Sequence, residues 1–307
     1  MCSTEDYKMR LLNKNNLLFA LGFIMIYSLI ARASTLKVEK ISMPIKISNK
    51  ISQPINLNFA ADSNWRILVE PLDSQIRNLD NPNYNLPITR IELAQMNGAP
   101  ISVLNIGRPC EVKNGAMSGV NNLNLALNAI SFESDHPGNY VADIKFTLLS
   151  NNSVVAEDVY SFRFMEDTIA SIDFTNKVAR LSVDKDKILR KNSSQSLGIP
   201  VGIYVCSNKN WKLYMRKPSS TMDNPLKYFV KVLGGDYSIN CNQSHEFMPL
   251  QESPILLASG KSTINQLANK LDKKLINIDY MIKGPADKFI PAGSRSEDFE
   301  YRLETED

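Results

Sequence analysis

A segment near the middle of the chain returns near its end. Gly138-Asn-Tyr-Val-Ala-Asp143-Ile-Lys-Phe-Thr-Leu148 is echoed by Gly293-Ser-Arg-Ser-Glu-Asp298-Phe-Glu-Tyr-Arg-Leu303, with Gly, Asp and Leu in step and apolar alternation between them. Upstream, Asn64-Trp65-Arg66-Ile67-Leu68-Val69 is echoed by Asn210-Trp211-Lys212-Leu213-Tyr214-Met215, and these are the only 2 tryptophans in the chain. Self-similarity at this spacing predicts two copies of one domain. It fixes a fold class and identifies no ligand.

Alternation of period two sets that class. Leu123, Leu125 and Leu127 alternate with asparagines; Ile144, Phe146 and Leu148 alternate with Asp143, Lys145 and Thr147. Ile276, Ile278, Tyr280 and Ile282 repeat the pattern in the second copy. Successive strand side chains point to opposite faces, so each run offers one apolar face to a core and one polar face to water. Antiparallel sheets with one wet side read this way. Turn chemistry separates the runs at Asn97-Gly98, Asn114-Gly115, His136-Pro137-Gly138, Gly234-Gly235 and Pro291-Ala292-Gly293. The one helical spacing is Ile264, Leu267, Leu271 and Leu275, which predicts a short helix over 262–275 with Ser262 as cap.

The expectation is an all-β chain of two tandem Ig-like antiparallel β-sandwich domains behind a signal peptide. Residues 1–33 carry a basic start (Lys8, Arg10, Lys14), an apolar run from Leu17 to Ile30 and the small-x-small site Ala31-Arg32-Ala33. The run of about 14 residues falls short of the roughly 20 that a spanning helix needs, which favours cleavage before Ser34 over an uncleaved anchor. Domain 1 is expected over 34–166, a linker over 167–178 and domain 2 over 179–307. After Leu148 an Asn151-Asn152 turn leads into a further strand-like run, Val154 to Phe164, whereas little follows Leu303 in the sequence. Domain 2 is therefore expected to be one strand short, or to borrow a strand.

Charge argues against one class of partner. The chain has 35 Lys+Arg and 32 Asp+Glu; without residues 1–33, 31 basic and 30 acidic side chains remain. A nucleic-acid binder concentrates a basic excess on one element, and none is visible. After cleavage no apolar run is long enough to span a membrane. The expected location is therefore exported: periplasmic, cell surface or extracellular.

Catalytic and metal signatures are lacking in the sequence, so the reading is a non-enzyme with no cofactor and no metal. His136 and His245 are the only 2 histidines and share no His-x-x-His or Cys-x-x-Cys spacing. Asp184-Lys-Asp186 is too short for a calcium loop. Glu133 and Asp135 flank the repeated Gly motif, but a carboxylate pair works in acid–base chemistry only when one member is desolvated. Export favours oxidation, so Cys206 and Cys241, which bracket the strand Tyr228 to Leu233, are expected to form a disulfide, leaving Cys110 over. That bridge would close a loop of roughly 35 residues, worth about 3–4 kcal/mol in the chain-entropy picture. Trp65 and Trp211 sit in alternating strands and read as core plugs rather than sugar platforms. Gly138 and Gly293 each precede a strand, where a positive φ or a tight turn is wanted. Asp143 and Asp298 should face the polar side and bond to local backbone.

The runs Pro137-Gly138-Asn139-Tyr140-Val141-Ala142-Asp143 and Ala292-Gly293-Ser294-Arg295-Ser296-Glu297-Asp298 resemble the last-strand motif of bacterial surface β-sandwich families, the spore coat protein U-like and fimbrial-subunit-like domains. The second run has Arg295 where the motif has Tyr. The resemblance implies an exported sandwich that works by contacts with other surface or pilus-type proteins, including strand addition, in fimbria-like assembly or adhesion. The alternative is a carbohydrate-binding β-sandwich module.

Overall fold

The computed structural model describes residues 34–47, 49–176, 194–218, 225–242, 246–285 and 297–306. Residues 1–33, Asp184, Asp186, His245, Gly293 and Arg295 lie outside the described residues, as does the expected start of domain 2. Every long element is a strand. Two compact units divide the chain: 1–130 with 140–164, and 131–139 with 165–307.

The first unit is built from β1 (Thr35–Lys40), β2 (Ile45–Ile47), β3 (Lys50–Ala61), β4 (Trp65–Pro71), β5 (Gln75–Asn78), β6 (Leu86–Pro87), β7 (Ile91–Gln95), β8 (Pro100–Val103), β9 (Cys110–Gly115), β10 (Gly119–Ile130), β11 (Gly138–Ser150) and β12 (Ser153–Glu166). One sheet has the order β1-β3-β10-β7-β8, with β2 also on β3. The other has the order β6-β5-β11-β4-β9, with β12 also on β11. The strands pair antiparallel, as in β3 with β10 and β4 with β11. Alternation sends Ile55, Leu57 and Phe59 from one sheet and Trp65, Ile67 and Val69 from the other into one core, with Ile144, Phe146, Leu148 and Phe162. Burying such a side chain contributes about 1.5–3 kcal/mol. Asn151 (φ 49°) and Asn152 (φ 66°) both adopt positive φ. A two-residue hairpin with both central residues at φ > 0 matches the twist of its strands, which is why an Asn-Asn pair folds β12 back onto β11. Gly138 opens β11 at φ 145°, a conformation that side chains disfavour.

The second unit holds β13 (Ala170–Phe174), β14 (Ser194–Ser196), β15 (Val201–Ser207), β16 (Asn210–Arg216), β17 (Lys227–Gly235), β18 (Ile239–Cys241), β19 (Met248–Pro249), β20 (Ile255–Gly260), β21 (Ile264–Asn265), β22 (Lys270–Leu271), β23 (Lys274–Lys283) and β24 (Glu300–Glu306). Its sheets run β13-β15-β23-β17-β19, with β14 on β23, and β18-β20-β16-β24. Val201, Ile203, Val205, Trp211, Leu213, Met215, Val230, Val232, Ile276 and Ile278 form its core.

Three expectations fail here. Residues 262–275 form no helix. Ile264 and Leu271 face each other across the hairpin β21–β22, so their spacing of seven is a cross-strand pairing. Asn269 turns the chain at φ 50°, Asn265 accepts a hydrogen bond from the Ala268 N–H, and Leu267 is fully exposed. The Asn114-Gly115 and Gly234-Gly235 turns are also strand: Gly115 ends β9, and Gly234 lies at a bulge where β17 pairs with β23.

The Cys206–Cys241 bridge is absent, and all three described cysteines are free. The expected adjacency fails because β23 lies between β15 and β17. Along β15 the buried residues Val201, Ile203 and Val205 alternate with half-exposed Tyr204 and Cys206, so Cys206 points away from the core. Cys241 belongs to the other sheet and packs against the core. A sheet therefore stands between the two thiols. Burial raises the pKa of both thiols above the ordinary range.

Candidate functional site

The two units share part of their strand order. β1-β3-β10-β7-β8 in the first corresponds to β13-β15-β23-β17-β19 in the second, and β9, β4 and β11 correspond to β20, β16 and β24. The register makes the match residue by residue. Trp65, Ile67 and Val69 pair with Ser150, Leu148 and Phe146. Trp211, Leu213 and Met215 pair with Thr305, Leu303 and Tyr301. Tyr301 therefore stands where Phe146 stands, Leu303 where Leu148 stands, and Phe299 and Asp298 where Ile144 and Asp143 stand.

The units part at the far edge of that strand. β4 takes one edge of β11 along Ile144–Ser150, and β12, folded back through Asn151-Asn152, takes the other. β24 takes β16 on one edge and is the last strand of its sheet among the described residues. β24 contains no proline, and its pairing with β16 runs without a bulge from Asn210↔Glu306 to Arg216↔Glu300. Such an edge leaves backbone N–H and C=O groups without ladder partners, a template for an added strand.

Burial follows the missing cover. Ile144, Phe146 and Leu148 are fully buried, and β12 sends Phe162 and Phe164 into the same core, where Phe164 stacks on Tyr140 at 5.4 Å. Their second-unit counterparts Phe299, Tyr301 and Leu303 are only partly buried. These side chains are held by one another. Phe174 meets Tyr301 edge-on at 4.9 Å, Phe299 stacks on Tyr280 at 5.5 Å, and Tyr228 meets Phe299 at 5.6 Å. The hydroxyls of Tyr280 and Tyr301 hydrogen-bond each other. Burial pushes the Tyr280 hydroxyl up to about 12, against the opposing pull of that hydrogen bond. Burial, then the neighbouring Tyr280, raises Tyr301 as well. Both are neutral at pH 7.

On the outer face of the same sheet, charges are tied off. Glu300 accepts two hydrogen bonds from Arg216 at 2.8 and 2.6 Å, Arg302 pairs with Glu304 at 2.7 Å, and Lys212 pairs with Glu306. Exposed pairs such as these contribute little to stability but keep the edge charged and soluble.

The other sequence candidates sit apart from this edge. Trp65 and Trp211 are 7% and 1% exposed, so neither ring face is open to stack on a sugar. Asp143 does not bond to local backbone through its side chain: it accepts from Arg77 Nη2 and Ser161 Oγ, both at 2.6 Å. Asp298 is exposed just before β24. Asp135 is buried but accepts the Phe132 N–H at 2.8 Å to close a turn, while Glu133 is exposed. His136, on the same turn, is lowered by burial against the pull of Asp135. Among the described residues no group of His, Cys, Asp and Glu could hold a metal, and no helix is long and apolar enough to cross a membrane. Sequence reasoning missed the roles of Phe174, Tyr228 and Tyr280, because their strands meet β24 only in three dimensions.

No family model and no curated protein matches the chain. Among solved structures, the CupB6 tip adhesin from Pseudomonas aeruginosa aligns over 89% of this chain and 92% of its own, at 9% identity and a TM-score of 0.35. The secreted serine protease VesC from Vibrio cholerae aligns over 81% of this chain and 50% of its own, at 10% identity and a TM-score of 0.21.

Proposed function

We propose that the chain is an exported, non-catalytic surface protein that assembles with other surface proteins by accepting an extended strand at the open edge of β24, in fimbria-like assembly or adhesion. The signal-like segment 1–33 supports export. The observation that carries strand acceptance is the difference between the two units. β12 covers the far edge of β11, nothing among the described residues covers the far edge of β24, and the inward side chains there are left half buried.

The occupant of the equivalent place in the first unit defines the chemistry that fits. β12 alternates exposed residues with Ala156, Asp158, Tyr160, Phe162 and Phe164, of which all but Asp158 are apolar or aromatic. A partner strand should likewise carry apolar side chains at most of its alternate positions: main-chain bonds supply affinity, and alternate side chains supply selectivity.

A synthetic peptide of residues 153–166 serves as probe. Titrated into the protein starting at Ser34, the labelled peptide should bind with saturating anisotropy. A scrambled peptide without the alternation should not. Equal behaviour of the two peptides contradicts the reading.

A further inference from the structure

The backbone edge of β24 is unpaired among the described residues, but the apolar space beside it is partly filled, and what fills it bears on how a partner enters. In the first unit, β12 lies between β11 and β1: it pairs with β11, and Asp158 Oδ2 accepts the Val38 N–H of β1 at 2.7 Å. Val38 pairs with Leu57, eight residues before Trp65; Phe174 pairs with Ile203, eight residues before Trp211. Phe174 is therefore the second-unit counterpart of Val38. Among the described residues no strand separates it from β24, and its ring rests directly on Tyr301 at 4.9 Å.

Three substitutions of partner coincide at this place. The backbone N–H that Asp158 takes in the first unit is taken in the second by the neighbouring Asp173, whose Oδ1 accepts the Phe174 N–H at 2.9 Å. The small Val38 becomes the large Phe174, and Phe146 becomes Tyr301, which gains a hydroxyl bond to Tyr280. Two of the changes supply from elsewhere in the second unit what β12 supplies in the first, a carboxylate and an aromatic ring, and the third adds a polar tie. Yet the closure is incomplete, since Phe174, Tyr301 and Leu303 remain only partly buried while Phe146, Leu148 and Phe162 are sealed.

We infer that Phe174 and Tyr301, with Asp173 and Tyr280 behind them, form a latch that fills the apolar space beside the unpaired β24 edge until the side chains of a partner strand displace it. This inference rests on the strand-accepting reading above and adds its regulation. The latch hides apolar surface in the free protein, and it makes strand entry wait on separation of β13 from β24. An extended chain that cannot replace the Phe174–Tyr301 contact with its own apolar side chains does not enter.

Stopped-flow association of the 153–166 peptide with the protein starting at Ser34 tests this. Two variants install the residues that the first unit carries at the same places, Phe174→Val and Tyr301→Phe, and both suit a sandwich of this kind. The expected result is association faster than in the parent by roughly threefold to tenfold for Phe174→Val, the weight of one aromatic pair, and by about threefold for Tyr301→Phe. Equal or slower association in both variants overturns the latch while leaving strand acceptance in place. No association in any of the three proteins overturns both.

Discussion

Trp211 and Gly260 stand directly opposite each other on neighbouring strands, and the indole covers the glycine so closely that a Cβ there would lie 2.6 Å from Trp211 Cζ2. Trp65 and Gly115 repeat the arrangement, with Trp65 Cζ2 over the glycine. Each Trp of the repeat is thus paired with a cross-strand glycine that makes room for it. Gly115→Ala and Gly260→Ala should each destabilise their unit by about 1–3 kcal/mol through overpacking. Urea unfolding measures it, with the larger loss at Gly260, where Trp211 is the more deeply buried ring. A neutral result at either glycine contradicts the pairing.

The two indoles differ in one respect. Trp65 Nε1 donates to the Met117 carbonyl at 3.0 Å, whereas Trp211 Nε1 is buried with no hydrogen-bond partner among the described residues. A buried, unpaired donor costs about 1–3 kcal/mol, and a made bond contributes about 0.5–1.5 kcal/mol. Trp211→Phe removes the first cost; Trp65→Phe removes the second gain. Trp211→Phe should therefore be the milder substitution although Trp211 is the more buried. Chemical denaturation of both variants checks the order, and a larger loss at Trp211 reverses the expectation.

The tyrosine pair gives a pH signature. The folded-state pKa of Tyr280 is raised from the ordinary 10.0 to about 12. A raised pKa means that the folded state holds its proton more tightly than the unfolded state. The stabilisation is complete below pH 10 and is lost as pH rises from about 10 towards about 12. Urea midpoints should fall across that window, and Tyr280→Phe should flatten the fall. An unchanged slope in the variant removes Tyr280 from the account.

Free thiols follow from the sheet arrangement. Non-reducing peptide mapping of protein made under oxidising conditions should recover Cys206 and Cys241 unlinked to each other. Alkylation at pH 8 should be slow until denaturant is added, because burial raises both thiols. A recovered Cys206–Cys241 crosslink contradicts the observed strand order.

What the sequence made legible was whatever repeats or alternates. The paired Trp strands, the period-two runs and the extra run after Asn151-Asn152 each sit where the pattern puts them, because a strand writes its burial directly into every second residue. The non-local facts stayed hidden. Nothing near Cys206 says that β23 will lie beside β15, and nothing near Gly115 says that Trp65 will cover it. The helix expected over 262–275 arose because a seven-residue cross-strand pairing of Ile264 with Leu271 looks like two helical turns. Half of the candidate site, the strand after Asn151-Asn152 that covers β11, was visible in the sequence as a further alternating run. The other half, the aromatic closure by Phe174, Tyr228 and Tyr280, comes from strands far apart in sequence: 127 positions separate Phe174 from Tyr301 and 71 separate Tyr228 from Phe299.

Amide hydrogen exchange along β24 tests strand acceptance most directly. In the free protein, amides of 300–306 that face β16 should exchange slowly, while those on the far edge exchange fast. The corresponding amides of β11, covered on both edges, should be slow throughout. Adding the 153–166 peptide should slow the fast set in β24 and leave β11 unchanged. Uniformly slow exchange across 300–306 in the free monomer, or no change on adding peptide, contradicts the claim that this edge is open to a partner strand.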